Sequence, residues 1–341
     1  MYESAPSGDN KRDEKSSHPP TLSTRSEKTS DRKIRLLEEG PTLSNVSYGP
    51  FEENVLDFWQ ANNAQNAEQP TPLAMFIHGG GWAYGDKSRN IPGDVSPSLF
   101  LQNGTSFVSI NYRLTGELTE GSTTPTTLPA PVEDVIRAIK FVKYMAKAWN
   151  VDKDRVVLAG MSAGATTAMY IVFHEDFAVA DSNDPVERES TQVRAAVTLC
   201  GQASIDPYTL LTWLGSGAAT HEMIHTAVGE GSYRDMMDNY EQHKSLLQEY
   251  SPISYIGRTI ADPPPLYMLY LEWTPTPCQC RYDSDGNCVR TPEMQQCIHH
   301  PLFGLQIKNR CNEAGLTCYL NINGETGVYK TVIDFLLDHV Q

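Results

Sequence analysis

Ser162 closes the apolar run Val156-Val157-Leu158-Ala159-Gly160-Met161-Ser162-Ala163-Gly164, set between two glycines and followed by small residues. A Gly-x-Ser-x-Gly turn between a strand and a helix holds its serine in a strained conformation, and the glycines leave room for neighbouring chain. The Ser162 hydroxyl is then expected above the strand ends, at a helix N-terminus whose partial positive charge favours a developing anion. Upstream, after a second apolar run, stands Phe76-Ile77-His78-Gly79-Gly80-Gly81-Trp82. Three successive glycines let backbone N–H groups turn towards one point, as stabilising the oxyanion of an acyl-transfer intermediate requires. Gly80 and Gly81 are the expected donors, joined by the N–H of Ala163. A phosphate loop is the rival, but neither Gly-x-x-x-x-Gly-Lys-Ser/Thr nor a Gly-x-Gly-x-x-Gly helix start occurs. His78 precedes the glycines and is expected, with Trp82, to shape the loop and pocket rather than to act as a base.

These two turns need strands beneath them and helices behind them. Strand-like apolar runs are expected at 73–77, 106–112, 155–159, 193–200, 265–273 and 317–322, with helices at 131–149, from 163 to about 174, and from 328 onward. Strands of nearly continuous apolar character separated by helices indicate a parallel sheet covered on both faces, an α/β fold. Helical patterns at 208–214 and 236–250 interrupt the alternation, so residues 203–260 read as a lid-like insertion. Residues 1–40 are dominated by Ser, Lys, Asp, Glu, Arg and Pro and read as a disordered tail, with one domain over 41–341.

The 341 residues carry 42 acidic and 27 basic side chains, a formal charge of -15, which repels phosphate backbones and excludes nucleic acid as a partner. No apolar run reaches the roughly 18 to 20 residues of a membrane span, and the first residues lack the apolar segment of a signal peptide. Six of the seven cysteines (Cys278, Cys280, Cys288, Cys297, Cys311, Cys318) fall in the last quarter of the chain, most of them in a Cys-rich insertion at 274–297. Such clustering suits disulfides made in an oxidising, extracytoplasmic or secreted setting. Zinc is the rival, but Cys278-Gln-Cys280 is tighter than the usual ligand spacer, so no metal is expected.

The paired His-Gly-Gly-Gly-Trp and Gly-Met-Ser-Ala-Gly resemble the α/β-hydrolase fold, in its carboxylesterase and lipase branch, related to hormone-sensitive lipase and feruloyl-esterase-like proteins. Tyr48-Gly49-Pro50, Asn54-Val55-Leu56-Asp57, Gly85-Asp86-Lys87-Ser88, Ile110-Asn111-Tyr112-Arg113-Leu114 and Pro131 with Asp134 and Ala138 are similar to family landmarks in order and spacing. The resemblance implies a mostly parallel central sheet flanked by helices. It also implies hydrolysis of a carboxylic ester, small or polysaccharide-linked, through an acyl-enzyme on Ser162 and with no cofactor. It further implies an acid after the seventh strand and a histidine after the eighth. Here the chain departs from the pattern: Gln296 stands about where the acid is expected, and Thr326 about where the histidine is.

Serine needs an adjacent base to be a useful nucleophile at neutral pH. His299 and His300 lie after the seventh strand, on the same strand-end face as Ser162, and either is a candidate base with Glu272, Asp283, Asp285 or Glu293 as its orienting acid. Alternatively, His299-His300-Pro301 caps the following helix or lines a pocket. Two functions therefore remain open on sequence: a serine carboxylesterase with a relocated histidine, or a catalytically impaired binding or scaffolding module that keeps the pocket.

Overall fold

The computed structural model describes residues 40–61, 69–119, 121–270, 278, 281–282, 288–289, 296–324 and 327–340. The tail at 1–39 lies outside these residues, as do Glu272, Cys280, Asp283, Asp285, Glu293 and Thr326.

Eight strands form one sheet in the order β1-β2-β4-β3-β5-β6-β7-β10. These are β1 (Leu43–Ser47), β2 (Val55–Trp59), β3 (Thr71–Ile77), β4 (Ser106–Ile110), β5 (Val151–Met161), β6 (Ala195–Leu199), β7 (Leu266–Tyr270) and β10 (Cys318–Ile322). A separate two-stranded ladder pairs β8 (Arg281–Tyr282) with β9 (Cys288–Val289). β1 pairs antiparallel to β2 and β2 antiparallel to β4, whereas every pairing from β4 through β3, β5, β6 and β7 to β10 is parallel. β3, β4, β6 and β7 are buried along their whole length, which is why they read as unbroken apolar runs.

Ten helices cover the sheet or extend from it among the described residues: α1 (Pro97–Gln102), α2 (Ala130–Tyr144), α3 (Ala163–Val172), α4 (Pro207–Leu214), α5 (Ser216–Ala219), α6 (Glu222–Ala227), α7 (Tyr233–Asp238), α8 (Tyr240–Glu249), α9 (Leu302–Ala314) and α10 (Val332–His339). α4 to α8 fall between β6 and β7, within the segment expected as an insertion. Asp206 starts that segment: its carboxylate caps α4 through Thr209 N–H and accepts the Tyr240 hydroxyl at 2.7 Å, tying α4 to α8. One apolar core packs α2, α3 and the insertion against the sheet, and a second packs α1 and α10 against its other face.

Several expected bounds move. The last helix begins at Val332 rather than 328, because Thr331 and Asp334 form a reciprocal capping box there. The antiparallel strands β1 and β2 carried no clear sequence period. β1 is mostly exposed and its register slips between Leu43 and Val46, where Asn45 takes φ 53 and donates its N–H to Asp57 at 2.8 Å.

Candidate active site

The turn from β5 into α3 places Ser162 at φ 52 and ψ -119, a conformation that a non-glycine residue adopts only when its surroundings impose it. The Ser162 N–H donates to Leu199 O at 2.8 Å, which anchors the turn to the end of β6. Gly164 explains the close fit: a Cβ there would lie 2.2 Å from Ile77 O, so only glycine lets α3 approach β3 this closely.

The loop after β3 lies against this turn. Gly80 adopts φ 102, and its carbonyl accepts both Ala83 N–H and Tyr84 N–H at 3.0 Å, closing a tight turn. Trp82 is buried and donates its indole N–H to Thr167 on α3 at 2.9 Å, fastening the loop to the serine-bearing helix. Among the described residues, the N–H groups of Gly80, Gly81 and Ala163 have no acceptor within the chain.

His78 is buried and stacked on Tyr112 at 4.2 Å, and its Nδ1 lies 2.8 Å from Gly79 O. The Tyr112 hydroxyl donates to His78 O at 2.9 Å. Burial pushes the His78 imidazole below its ordinary value, so it stays neutral as part of the loop scaffold.

The other landmark residues hold this loop from outside. Lys87 pairs with Asp57 at 2.8 Å, both almost fully buried, and Asn111 joins Lys87 N–H to Asp86. Arg113 grips Asp134 with two nitrogens, at 2.7 and 2.9 Å.

His299 lies in the turn that follows the helical residues Gln296 and Cys297, closed by His299 N–H to Gln296 O at 2.9 Å. Its Nε2 lies 2.8 Å from Ser162 Oγ. Burial depresses the His299 pKa, so the ring is neutral at neutral pH and one of its two nitrogens has a free lone pair. His300 points differently: its Nδ1 accepts Leu302 N–H at 3.0 Å at the start of α9, while the ring lines the same cavity. Gln296 lines that cavity too.

The cavity over Ser162 has a volume of about 440 Å³ and is walled by Tyr84, Pro92, Met161, Leu199, Met223 and Ile298. Gly80 and Gly81 also line it, as do Glu222 of α6 and His221, which caps that helix. Cys278 and Cys297 form a disulfide beside the histidine turn, and Cys311 and Cys318 form a second between α9 and β10. Among the described residues no group of three His, Cys, Asp or Glu side chains is arranged to hold a metal ion, and no helix is long and apolar enough to cross a membrane.

A mostly parallel eight-stranded sheet with helices on both faces, carrying a strained serine turn after β5 and a glycine loop after β3, defines an α/β-hydrolase. The chain belongs to the BD-FAE family, whose model matches residues 56–269. It is similar to the esterase LipQ of Mycobacterium tuberculosis, with 29% identity over 68% of this chain and 49% of that protein. It is also similar to the probable isoprenylcysteine alpha-carbonyl methylesterase ICMEL1 of Arabidopsis thaliana, with 25% identity over 61% of this chain and 38% of that protein. At most about half the length of these curated relatives is spanned by the chain. Among solved structures, a truncated carbohydrate esterase from gut microbiota superposes with a TM-score of 0.59 at 18% identity, covering 83% of this chain and 90% of that one. Esterase B from Lactobacillus rhamnosis superposes at 0.55 and 16% identity, covering 91% and 89%. Likeness at this identity establishes the fold.

Proposed function

We propose that the protein hydrolyses a carboxylic ester through an acyl-enzyme on Ser162, with His299 as general base and then general acid. The observation that carries this reading is the 2.8 Å approach of His299 Nε2 to Ser162 Oγ, in a pocket also lined by Gly80 and Gly81. Ser162 Oγ attacks the ester carbonyl carbon as its proton passes to His299 Nε2. The carbonyl oxygen becomes an oxyanion, which the N–H groups of Gly80, Gly81 and Ala163 stabilise. Collapse breaks the bond to the alcohol oxygen, which leaves with the proton from Nε2. Water then repeats the sequence: it gives a proton to Nε2, attacks the acyl carbon and releases the acid, and the proton returns to Ser162. The net reaction consumes one ester and one water.

For Nε2 to accept, the imidazole proton must sit on Nδ1, and an acid at that nitrogen would fix the tautomer. The candidates for that part, Glu272, Asp283, Asp285 and Glu293, lie outside the described residues. The walls of the cavity suit a compact apolar group on one side of the ester. The binding-module alternative drew its force from the absence of both an acid and a histidine at their expected places, and His299 beside Ser162 supports the hydrolase reading on the second of these.

The test is hydrolysis of p-nitrophenyl acetate by the native chain, Ser162→Ala and His299→Ala. Release of nitrophenolate by the native chain alone supports the reading, and equal rates from native and Ser162→Ala proteins would end it.

A further inference from the structure

The peptide just before His299 is held in place over Ser162 by groups from other elements. The buried side chain of Gln202, just beyond β6, is one such group. Its Nε2 donates to Ile298 O at 2.6 Å and to Cys200 O at 3.1 Å, and its Oε1 accepts the Thr166 hydroxyl at 2.8 Å. The Thr166 oxygen in turn accepts the Gln202 backbone N–H at 2.9 Å. Two carbonyls demand the amide nitrogen and one hydroxyl serves the amide oxygen, so a single orientation satisfies every polar atom of the side chain. Thr166 lies on α3 one turn past Ser162, and its own N–H bonds Ser162 O at 2.9 Å. A continuous chain of hydrogen bonds thus runs from the nucleophile's backbone through Thr166 and Gln202 to the peptide that immediately precedes His299.

We propose that Gln202 is a positioning residue that sets the Ser162 to His299 separation by clamping the Ile298 carbonyl to α3. This rests on the reading of Ser162 and His299 as nucleophile and base. Among the described residues, Gln202 is absent from the cavity walls, so its effect is on geometry rather than on substrate contact. The residue type follows from the partners. Leucine would match the bulk of glutamine but leave the Ile298 and Cys200 carbonyls facing an apolar group. Glutamate would match its shape but set a carboxylate oxygen against those same carbonyls. Asparagine is one methylene too short to span from β6 to the turn. A displacement of about 1 Å at a reacting group costs on the order of 100-fold in rate, which is the scale expected for losing the clamp.

The experiment compares native protein with Gln202→Leu, Gln202→Glu, Thr166→Val and Ser162→Ala. It uses p-nitrophenyl acetate kinetics, near-ultraviolet circular dichroism, and NMR titration of 15N-labelled His299. Folded Gln202→Leu and Gln202→Glu are expected to lose about 100-fold in kcat with KM within about threefold. The His299 pKa and the acid limb of kcat/KM should both rise towards 6.5 as water reaches the loosened ring. Thr166→Val should move both readouts in the same direction but less, because the bonds from Nε2 remain. A folded Gln202→Leu protein with native kcat and an unmoved His299 titration overturns the proposal, as does a loss confined to KM. Loss of kcat that tracks loss of folded protein, with His299 titrating as in the native chain, overturns it as well. If native and Ser162→Ala proteins hydrolyse the ester equally, the hydrolase reading fails, and the NMR titration alone still decides whether Gln202 holds the ring.

Discussion

Ser162 Oγ and His299 Nε2 lie within hydrogen-bond distance although 137 residues separate them in the chain. The histidine reaches the serine from the segment that precedes α9, not from the turn after β10.

The two residues should behave as one unit. Ser162→Ala and His299→Ala are each expected to lower kcat by about 10³-fold or more, and the double variant should be no slower than the worse single one, since a base without its nucleophile contributes nothing. Steady-state kinetics of the three variants on one activated ester measures this. Independent, multiplying losses would show that the residues do not act together.

Activity should fall on the acid side through the titration of His299. Its pKa is depressed below the ordinary 6.5 by burial, and catalysis needs the neutral ring, so kcat/KM should stay level down to pH 6.5 and decline only below it. The same shift bears on folding. Below 6.5 the unfolded chain binds the proton first, so this histidine's contribution to stability is complete above that pH and is lost as pH falls through the lower folded value. A pH–rate profile whose acid limb lies above 6.5 would contradict the assignment.

Gly164→Ala should damage both fold and function. The added Cβ would sit 2.2 Å from Ile77 O and 2.6 Å from His78 O, backbone atoms that cannot rotate away. Overpacking of this kind costs about 1–3 kcal/mol, and relief by shifting α3 would move Ser162 with it. Denaturant unfolding and ester kinetics should show losses together, and a fully stable, fully active variant would mean that the turn has more slack than these distances allow.

The Cys278–Cys297 bridge should support the histidine turn. Its sequence separation of 19 corresponds to about 3 kcal/mol of stabilisation through the unfolded chain. Cys278 O also accepts Gly217 N–H at 2.6 Å, so the bridge ties the turn to α5. The paired substitution Cys278→Ala with Cys297→Ala is expected to lower the urea midpoint and to reduce kcat more than it changes KM. Unchanged kcat in a folded variant would separate the bridge from the placement of His299.

Much of the scaffold was legible in the chain because its signals are local. A buried parallel strand is a short apolar run, and a strained serine turn or glycine loop carries its glycines within a few residues of the reacting group, so β3 to β7, Ser162, Gly80 and Gly81 could all be located from neighbours in sequence. The edge strand β1 was not legible, since it is exposed and pairs through an irregular register with no alternation to read. The histidine beside Ser162 was narrowed to two and left unresolved: His299 and His300 are adjacent and chemically identical, and nothing in their spacing says which ring turns to the serine.

That choice belongs to the tertiary structure. The turn at 296–299 and the cap on α9 send neighbouring rings in different directions, His300 to Leu302 N–H and His299 to Ser162 Oγ. Residue type and local spacing determined that this chain builds a strained serine turn at Ser162 and a glycine loop at Gly79 to Gly81. Only long-range packing, with β6, α3 and the histidine turn joined through Gln202, decided which histidine stands beside Ser162, because a distance across 137 residues is set by the folded core and not by any local preference.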